Sequence, residues 1–295
     1  MRVLAIDGGG IRGLIPALVL AEVERRTGRR VADLVDMIAG TSTGGILACA
    51  LGRPDPLPAA EIAALYVEEG PRIFDRSLLK RIGSLGGYLD ERYESAGLVR
   101  ALERYLGDTP MSAATVPLLL TAYDTERRNI HFLRSEGGGS GATMVEAAHA
   151  TSAAPTYFEP VRLGGATLID GGVFAINPSL CAYAEVGGRL DVLLSLGTGE
   201  HTRRLAYADV EDWGQLEWAR PLIDVVFDGG QDAVDFQLRA LLRDRYVRLQ
   251  TLLGEASDDL DDASEGNLAA LRREAERLIA ARGAELDAVC ARLAG

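Results

Sequence analysis

The sequence predicts an α/β protein with a mainly parallel sheet and helices on both faces. Three observations predict it. Short apolar runs alternate with segments of helical apolar spacing through the first half of the chain. Two of those runs end in glycine-rich turns that open helices, Asp7-Gly8-Gly9-Gly10-Ile11-Arg12-Gly13 and Gly40-Thr41-Ser42-Thr43-Gly44. The 295 residues are 47% hydrophobic and 25% charged, an ordinary balance for a chain with a large buried core.

Arg2 to Ile6 reads as a strand, and Leu14 to Arg26 as a helix with Pro16 in its first turn, where proline is tolerated. Asp36 to Ala39 is a second buried strand, and Ile46 to Leu51 continues as helix. The prolines between Gly52 and Pro58 mark a turn, and Ala59 to Glu69 is helical. Gly70 to Ser95 reads as irregular, and Leu98 to Leu106 as a short helix. Val116 to Tyr123 and Ile130 to Leu133 suggest a hairpin. Gly137 to Gly141 is a flexible loop, and Met144 to Ser152 is helical. Ala166 to Ile169 and Val192 to Leu196 are strands, and Pro221 to Leu242 is a long helix. Glu255 to Glu265 reads as an acidic loop, followed by one amphipathic helix over Asn267 to Leu293. No internal repeat is present.

Formal net charge is −12, which argues against a nucleic-acid polymer as partner and against docking on anionic membranes by charge alone. Lys80 is the only lysine, which reads as a bias of genome composition. The three cysteines, Cys49, Cys181 and Cys290, are far apart with apolar neighbours, which fits buried thiols in a reducing compartment. No apolar run is long enough to span a bilayer, and the N-terminus lacks a signal-peptide pattern. A soluble cytoplasmic protein is expected.

Gly40-Thr41-Ser42-Thr43-Gly44 matches G-x-S-x-G. That pattern places a serine on a sharp strand-to-helix turn, where side chains two residues either side would collide, so glycine is needed at both flanks. The serine then stands clear of the sheet at the positive end of a helix. The competing reading is an ordinary helix start with Thr41 or Ser42 as N-cap.

The first turn also has two readings. Gly8-x-Gly10-x-x-Gly13 fits the dinucleotide fingerprint, but the second strand ends in Gly40-Thr41-Ser42 where that fingerprint wants an acidic residue. Alternatively, three consecutive glycines can aim backbone N–H groups at one point and form an oxyanion hole.

Asp-Gly-Gly occurs at Asp7, Asp170 and Asp228. Asp7 belongs to the glycine loop and Asp228 sits in a helical stretch. Asp170 closes a strand and is the preferred base for Ser42. His131 and His149 read as locally hydrogen-bonded histidines. His201 follows Asp170 in the order Ser, Asp, His, and would complete a triad. Without it, Asp170 must take the serine proton directly.

These turns, in this order, resemble the patatin-like phospholipase family. Ala150-Thr151-Ser152-Ala153-Ala154-Pro155-Thr156-Tyr157-Phe158, Asn177-Pro178 and Leu194-Ser195-Leu196-Gly197-Thr198-Gly199 add to the resemblance, which covers about residues 1 to 200. The tail is also similar to bacterial members. The resemblance implies a three-layer α/β/α sandwich, read as one domain over residues 1–295 with a helical extension from about 255. It implies a Ser42–Asp170 dyad that releases fatty acid from phospholipid or other acyl esters, with no metal or cofactor. Gly8, Gly9 and Gly10 take the oxyanion-hole role, Arg12 lies beside them, and Gly40 and Gly44 support the turn. Ile176 departs from the family, which often has asparagine there. Some bacterial members are effectors in cyclic-oligonucleotide antiphage signalling, so such an activator is a candidate partner, although no motif names it. A ligand-binding or storage protein with vestigial chemistry is the alternative from another class.

Residues 70–95 carry Arg72, Arg76, Lys80, Arg81 and Arg92 among apolar neighbours. They read either as a lid meeting a lipid surface or as a solvated loop. The aspartates 258, 259, 261 and 262 fail the EF-hand spacing at Ala263 and read as a solvated linker.

Overall fold

The computed structural model describes residues 1–74, 93, 95–137, 141–200, 202, 204–218 and 221–295. The strands are β1 (Arg2–Ile6), β2 (Met37–Gly40), β3 (Leu118–Asp124), β4 (Asn129–Arg134), β5 (Val161–Leu163), β6 (Ala166–Asp170), β7 (Val192–Leu196) and β8 (Tyr246–Leu249). The helices are α1 (Leu14–Thr27), α2 (Thr43–Gly52), α3 (Ala59–Ile73), α4 (Ser95–Leu106), α5 (Met144–Thr151) and α6 (Gly172–Ala175). They continue with α7 (Ser179–Glu185), α8 (Tyr207–Val210), α9 (Gln215–Trp218), α10 (Pro221–Leu242), α11 (Glu265–Ala281) and α12 (Gly283–Ala294).

One sheet runs β5-β6-β3-β2-β1-β7-β8, with β4 paired to β3 outside this path. The pairs β3–β2, β2–β1, β1–β7 and β7–β8 are parallel, and β4, β5 and β6 add antiparallel pairs at one end. Strand order reverses beside β1, whose neighbours are β2 and β7. Ligands of open α/β sheets bind in the crevice that such a reversal creates at the carboxyl ends of the strands. Both glycine turns leave the sheet at that edge.

Buried strands obey a period of two. Leu4 and Ile6 of β1 join the core cluster with α1, α2, α5, α11 and α12. Val3 and Ala5 join the other cluster, with Ala182 of α7 and Leu238 and Leu242 of α10. Helices on both faces of one sheet make the three layers that the sequence predicts.

Helix ends follow local chemistry. Gly28 closes α1 at φ 66°, and Thr143 with Glu146 forms a capping box on α5.

Several features differ from the sequence reading, among them the short helices α6 to α9, which were not expected. α3 runs on to Ile73, through Pro71, rather than stopping at Glu69. The helix expected over Asn267 to Leu293 is two, broken at Arg282. β5 and β8 were not expected; both are short, and an apolar run of three or four residues gives little periodicity to read. The acidic segment is packed rather than solvated. Asp261 is buried and accepts from the Tyr93 hydroxyl at 2.7 Å, and the Leu260 carbonyl accepts from Ile11 N–H at 2.9 Å. Most of the expected 70–95 lid lies outside the described residues, as does His201. Among the described residues, no helix is long and apolar enough to cross a membrane.

Candidate active site

Ser42 follows β2 at φ 54° and ψ −124°, a conformation that a non-glycine residue rarely adopts. Its side chain makes no capping bond to α2, so the N-cap reading does not account for it. Its backbone N–H donates instead to Thr151 Oγ1 at 2.9 Å, and that hydroxyl donates to the Thr121 carbonyl at 2.6 Å. Thr41 Oγ1 is tied to the Ala175 carbonyl at 2.6 Å and to Thr121 Oγ1 at 2.7 Å. A Cβ on Gly44 would lie 2.1 Å from the Ile6 carbonyl oxygen, and one on Gly40 would strike the Gly44 backbone at 2.3 Å. Both flanking glycines are thus required by close approach, as the pattern predicts.

Asp170 is the last residue of β6, placed opposite Ala122 of β3. It is buried, and its Oδ1 accepts from Gly172 N–H at 2.7 Å. Burial pushes its carboxyl up to about 6, against hydrogen bonds from the Ser42 hydroxyl and the Gly172 amide that pull it down. A carboxyl near 6 is a better proton acceptor at neutral pH than an ordinary aspartate.

In the glycine loop, Gly8 N–H donates to the Ile176 carbonyl at 2.9 Å, and Thr198 Oγ1 donates to the Gly8 carbonyl at 2.7 Å. Gly10 sits at φ 55°, with its Cα hydrogen against the Leu260 carbonyl. Among the described residues, nothing accepts from the N–H groups of Gly9, Gly10 or Thr43. Gly9, Gly10, Thr43, Ser42 and Asp170 all line one pocket. The Gly8 amide, which the sequence reading grouped with those of Gly9 and Gly10, is already engaged by the Ile176 carbonyl. The Leu260 carbonyl packs against the loop, where a Cβ on Gly10 would lie 2.2 Å from its oxygen.

Arg12 is buried beside the loop and donates to the Asp258 carbonyl at 3.3 Å, with Nε unpartnered among the described residues. Burial lowers its pKa, while the charges of Asp228, Asp258 and Asp224 raise it. It does not line the pocket. Beneath the loop, the buried Asp7 carboxylate pairs with Arg248 of β8 at 2.6 Å, and Arg248 also reaches Ser195 Oγ at 2.9 Å.

The pocket runs from Ser42 between α2, α3 and α4 and is lined almost wholly by apolar side chains. Phe74, Phe158 and Phe227 stand on its wall. Neither His131 nor His149 lines it. His149 Nε2 is buried with no partner among the described residues, unlike the local bond expected, and burial lowers its pKa. No group of three His, Cys, Asp or Glu side chains among the described residues could hold a metal ion.

Sequence reasoning missed the Thr43 amide, Arg248, and the contacts that Thr151 and Ile176, both noted only for the family resemblance, make to the two turns. Thr43 was open to it, because the residue after a G-x-S-x-G serine supplies an oxyanion donor in other hydrolases. The others act across 100 residues or more and leave no local pattern.

A strained serine, a buried carboxyl and unengaged amides share one apolar pocket, the arrangement expected of an ester hydrolase. Residues 4–180 match the family model for patatin, described as patatin-like phospholipase. Patatin-like protein 2 of Arabidopsis thaliana is 35% identical over 95% of this chain and 83% of its own length. Patatin-04/09 of Solanum tuberosum is 31% identical over 95% and 83%. Probable inactive patatin-3-Kuras 1, from the same plant, is 31% identical over 95% and 86%. The solved structure of VipD from Legionella pneumophila aligns over 95% of this chain and 66% of that one, with TM-score 0.42 and 11% identity, too distant to bear on the site. The chain belongs to the patatin-like phospholipase family, and this membership supports lipid acyl hydrolysis as its chemistry.

Proposed function

We propose that this protein hydrolyses acyl esters of lipids through Ser42 and Asp170, without a catalytic histidine. Ser42 Oγ attacks the ester carbonyl while Asp170 accepts its proton. The developing oxyanion is held by the amides of Gly9, Gly10 and Thr43. The alcohol leaves with the proton from Asp170, and water then attacks the acyl-serine with Asp170 again as base. Each amide donor is worth about 10²–10³ in rate.

The reading rests on one observation: the Ser42 side chain is spared from capping and shares one apolar pocket with the buried Asp170 carboxyl. One relative is named as inactive, so membership by itself does not carry activity, and the local geometry must. The apolar pocket favours an acyl chain over a sugar or peptide.

Fluorophosphonate labelling, mapped by mass spectrometry, tests it. Label is expected on Ser42 in the wild type and nowhere in Ser42→Ala. Asp170→Asn, nearly isosteric, should keep the fold and lower kcat by about 10³ or more. Wild-type turnover in Asp170→Asn would move the base role elsewhere, with His201→Ala the next variant. Labelling with and without cyclic oligonucleotides, and with lipid vesicles, tests the activator and membrane partners that the family resemblance suggests.

A further inference from the structure

The unengaged amides of the site come from two turns, Gly9 and Gly10 from one and Thr43 from the other. Donors from separate segments serve one oxyanion only if each is held within about 0.5 Å of the productive geometry. A pair of hydroxyls stands where the two turns meet. Thr43 opens α2, and its Oγ1 is hydrogen-bonded to the Tyr66 hydroxyl of α3. The Tyr66 hydroxyl also donates to the Thr43 carbonyl at 3.3 Å. With Thr43 Oγ1 donating to Tyr66, and Tyr66 donating to that carbonyl, both hydroxyl protons are used. Thr43 is buried, and Tyr66 lines the pocket beside it. Burial raises the Tyr66 pKa, so the hydroxyl keeps its proton at neutral pH and serves as a donor rather than a base.

The first turn reaches the same point through Gly13. Gly10–Gly13 is a short 3-10 helix that starts at one of the unengaged amides and ends against the hydroxyl pair. A Cβ on Gly13 would lie 2.6 Å from Tyr66 Oη and 2.8 Å from the tyrosine ring, and would also strike Thr43 Oγ1. Gly13 has φ −54°, which any residue adopts. Its backbone does not require glycine, whereas the tyrosine seated against it does. The last glycine of Gly8-x-Gly10-x-x-Gly13 is accounted for by the ring it admits.

We propose that Tyr66 is a positioning residue of this site: its hydroxyl and ring fasten Thr43 to Gly13, and so fix the Thr43 amide relative to those of Gly9 and Gly10. This rests on the reading of Ser42 given above. Tyr66 acts through the Thr43 amide and not on the substrate.

Tyr66→Phe keeps the ring and the pocket wall and removes one oxygen. On p-nitrophenyl butanoate, kcat should fall about tenfold with KM within about twofold. Loss of a whole donor costs about 10²–10³, and a donor displaced but still present costs less. A trifluoromethyl ketone adds to the serine and leaves an oxyanion among the amides, so its affinity should weaken about tenfold in parallel. Thr43→Val keeps the amide, removes the other hydroxyl, and should match Tyr66→Phe. The double variant should fall no further than either single one, because the two hydroxyls make one fastening. Wild-type kcat in Tyr66→Phe, a change confined to KM, or additive losses in the double variant overturns the proposal. A wild type that neither hydrolyses ester nor takes up fluorophosphonate overturns the reading of Ser42 instead. The same three variants are then compared by chemical denaturation, where additive losses of stability overturn the fastening and a shared loss upholds it.

Discussion

The two glycine turns leave neighbouring parallel strands, and each leads into a helix, yet they are held by opposite means. The Ser42 turn is fixed largely from within. Gly40 and Gly44 close on each other and on β1, while Thr151, Thr41's partners and Tyr66, through Thr43, reach in from elsewhere. The Gly8–Gly10 loop is fixed from outside, by the Ile176 and Leu260 carbonyls, Thr198 and the Asp7–Arg248 pair. The strained turn presents a side chain, so its own geometry must be exact in the local chain. The loop presents backbone amides, which any residue carries, so it needs a rigid bed rather than a particular side chain.

The largest effect expected from this difference is at Arg248. Asp7 is fully buried, its Oδ2 paired to Arg248 and its Oδ1 without a partner among the described residues. Arg248→Met leaves that carboxylate unpaired and should cost about 3–5 kcal/mol in chemical denaturation. Asp7→Asn combined with Arg248→Met should recover much of it, because the uncompensated charge is then gone. If Arg248→Met melts like the wild type, the bed under the loop is not what holds it.

The same division governs what could be read from the sequence. G-x-S-x-G announced Ser42, its strand and its helix, because the constraints lie within five residues. Asp170 was reached through Asp-Gly-Gly at a strand end, a local pattern again. The three glycines announced a donor loop, but not that the Gly8 amide is engaged by Ile176 and that the unengaged Thr43 amide shares the pocket with those of Gly9 and Gly10. Leu260 lies in a segment whose aspartates read as solvated linker; packing against Tyr93 and the loop reversed that. β8 and its Arg248 were invisible, since a four-residue buried strand has no helix or strand period to detect, and its partner Asp7 is 241 residues away.

A second, intermediate effect follows pH. Asp170 acts as base only when ionised, so kcat/KM should fall as pH drops through about 6. Stability runs the other way. The folded carboxyl titrates near 6 and the unfolded one near 3.8, so between those values the folded state holds the extra proton. This carboxyl therefore contributes a loss of stability as pH rises through that window, and a constant penalty above it. Asp170→Asn removes the penalty and should melt higher than wild type at pH 8, with the gain vanishing near pH 4. An equal gain at both pH values would place the origin of the effect outside the titration of this carboxyl.

The smallest effect tests the Ser42 turn through the α5 hydroxyl that holds the backbone of Ser42 itself. Thr151→Val keeps the shape of the side chain but removes the acceptor for Ser42 N–H and the donor to the Thr121 carbonyl. A buried amide left unmatched costs about 1–2 kcal/mol, less than the charge exposed at Arg248. Part of that cost should appear as relaxation of Ser42 from φ 54° and displacement of its hydroxyl from Asp170. A fall of about tenfold in kcat and in the fluorophosphonate labelling rate is expected, with KM nearly unchanged, because substrate binding rests on the pocket walls. Unchanged labelling alongside the stability loss would mean that Gly40 and Gly44 hold the serine by themselves, and the contrast between an internally fixed turn and an externally fixed loop would become sharper.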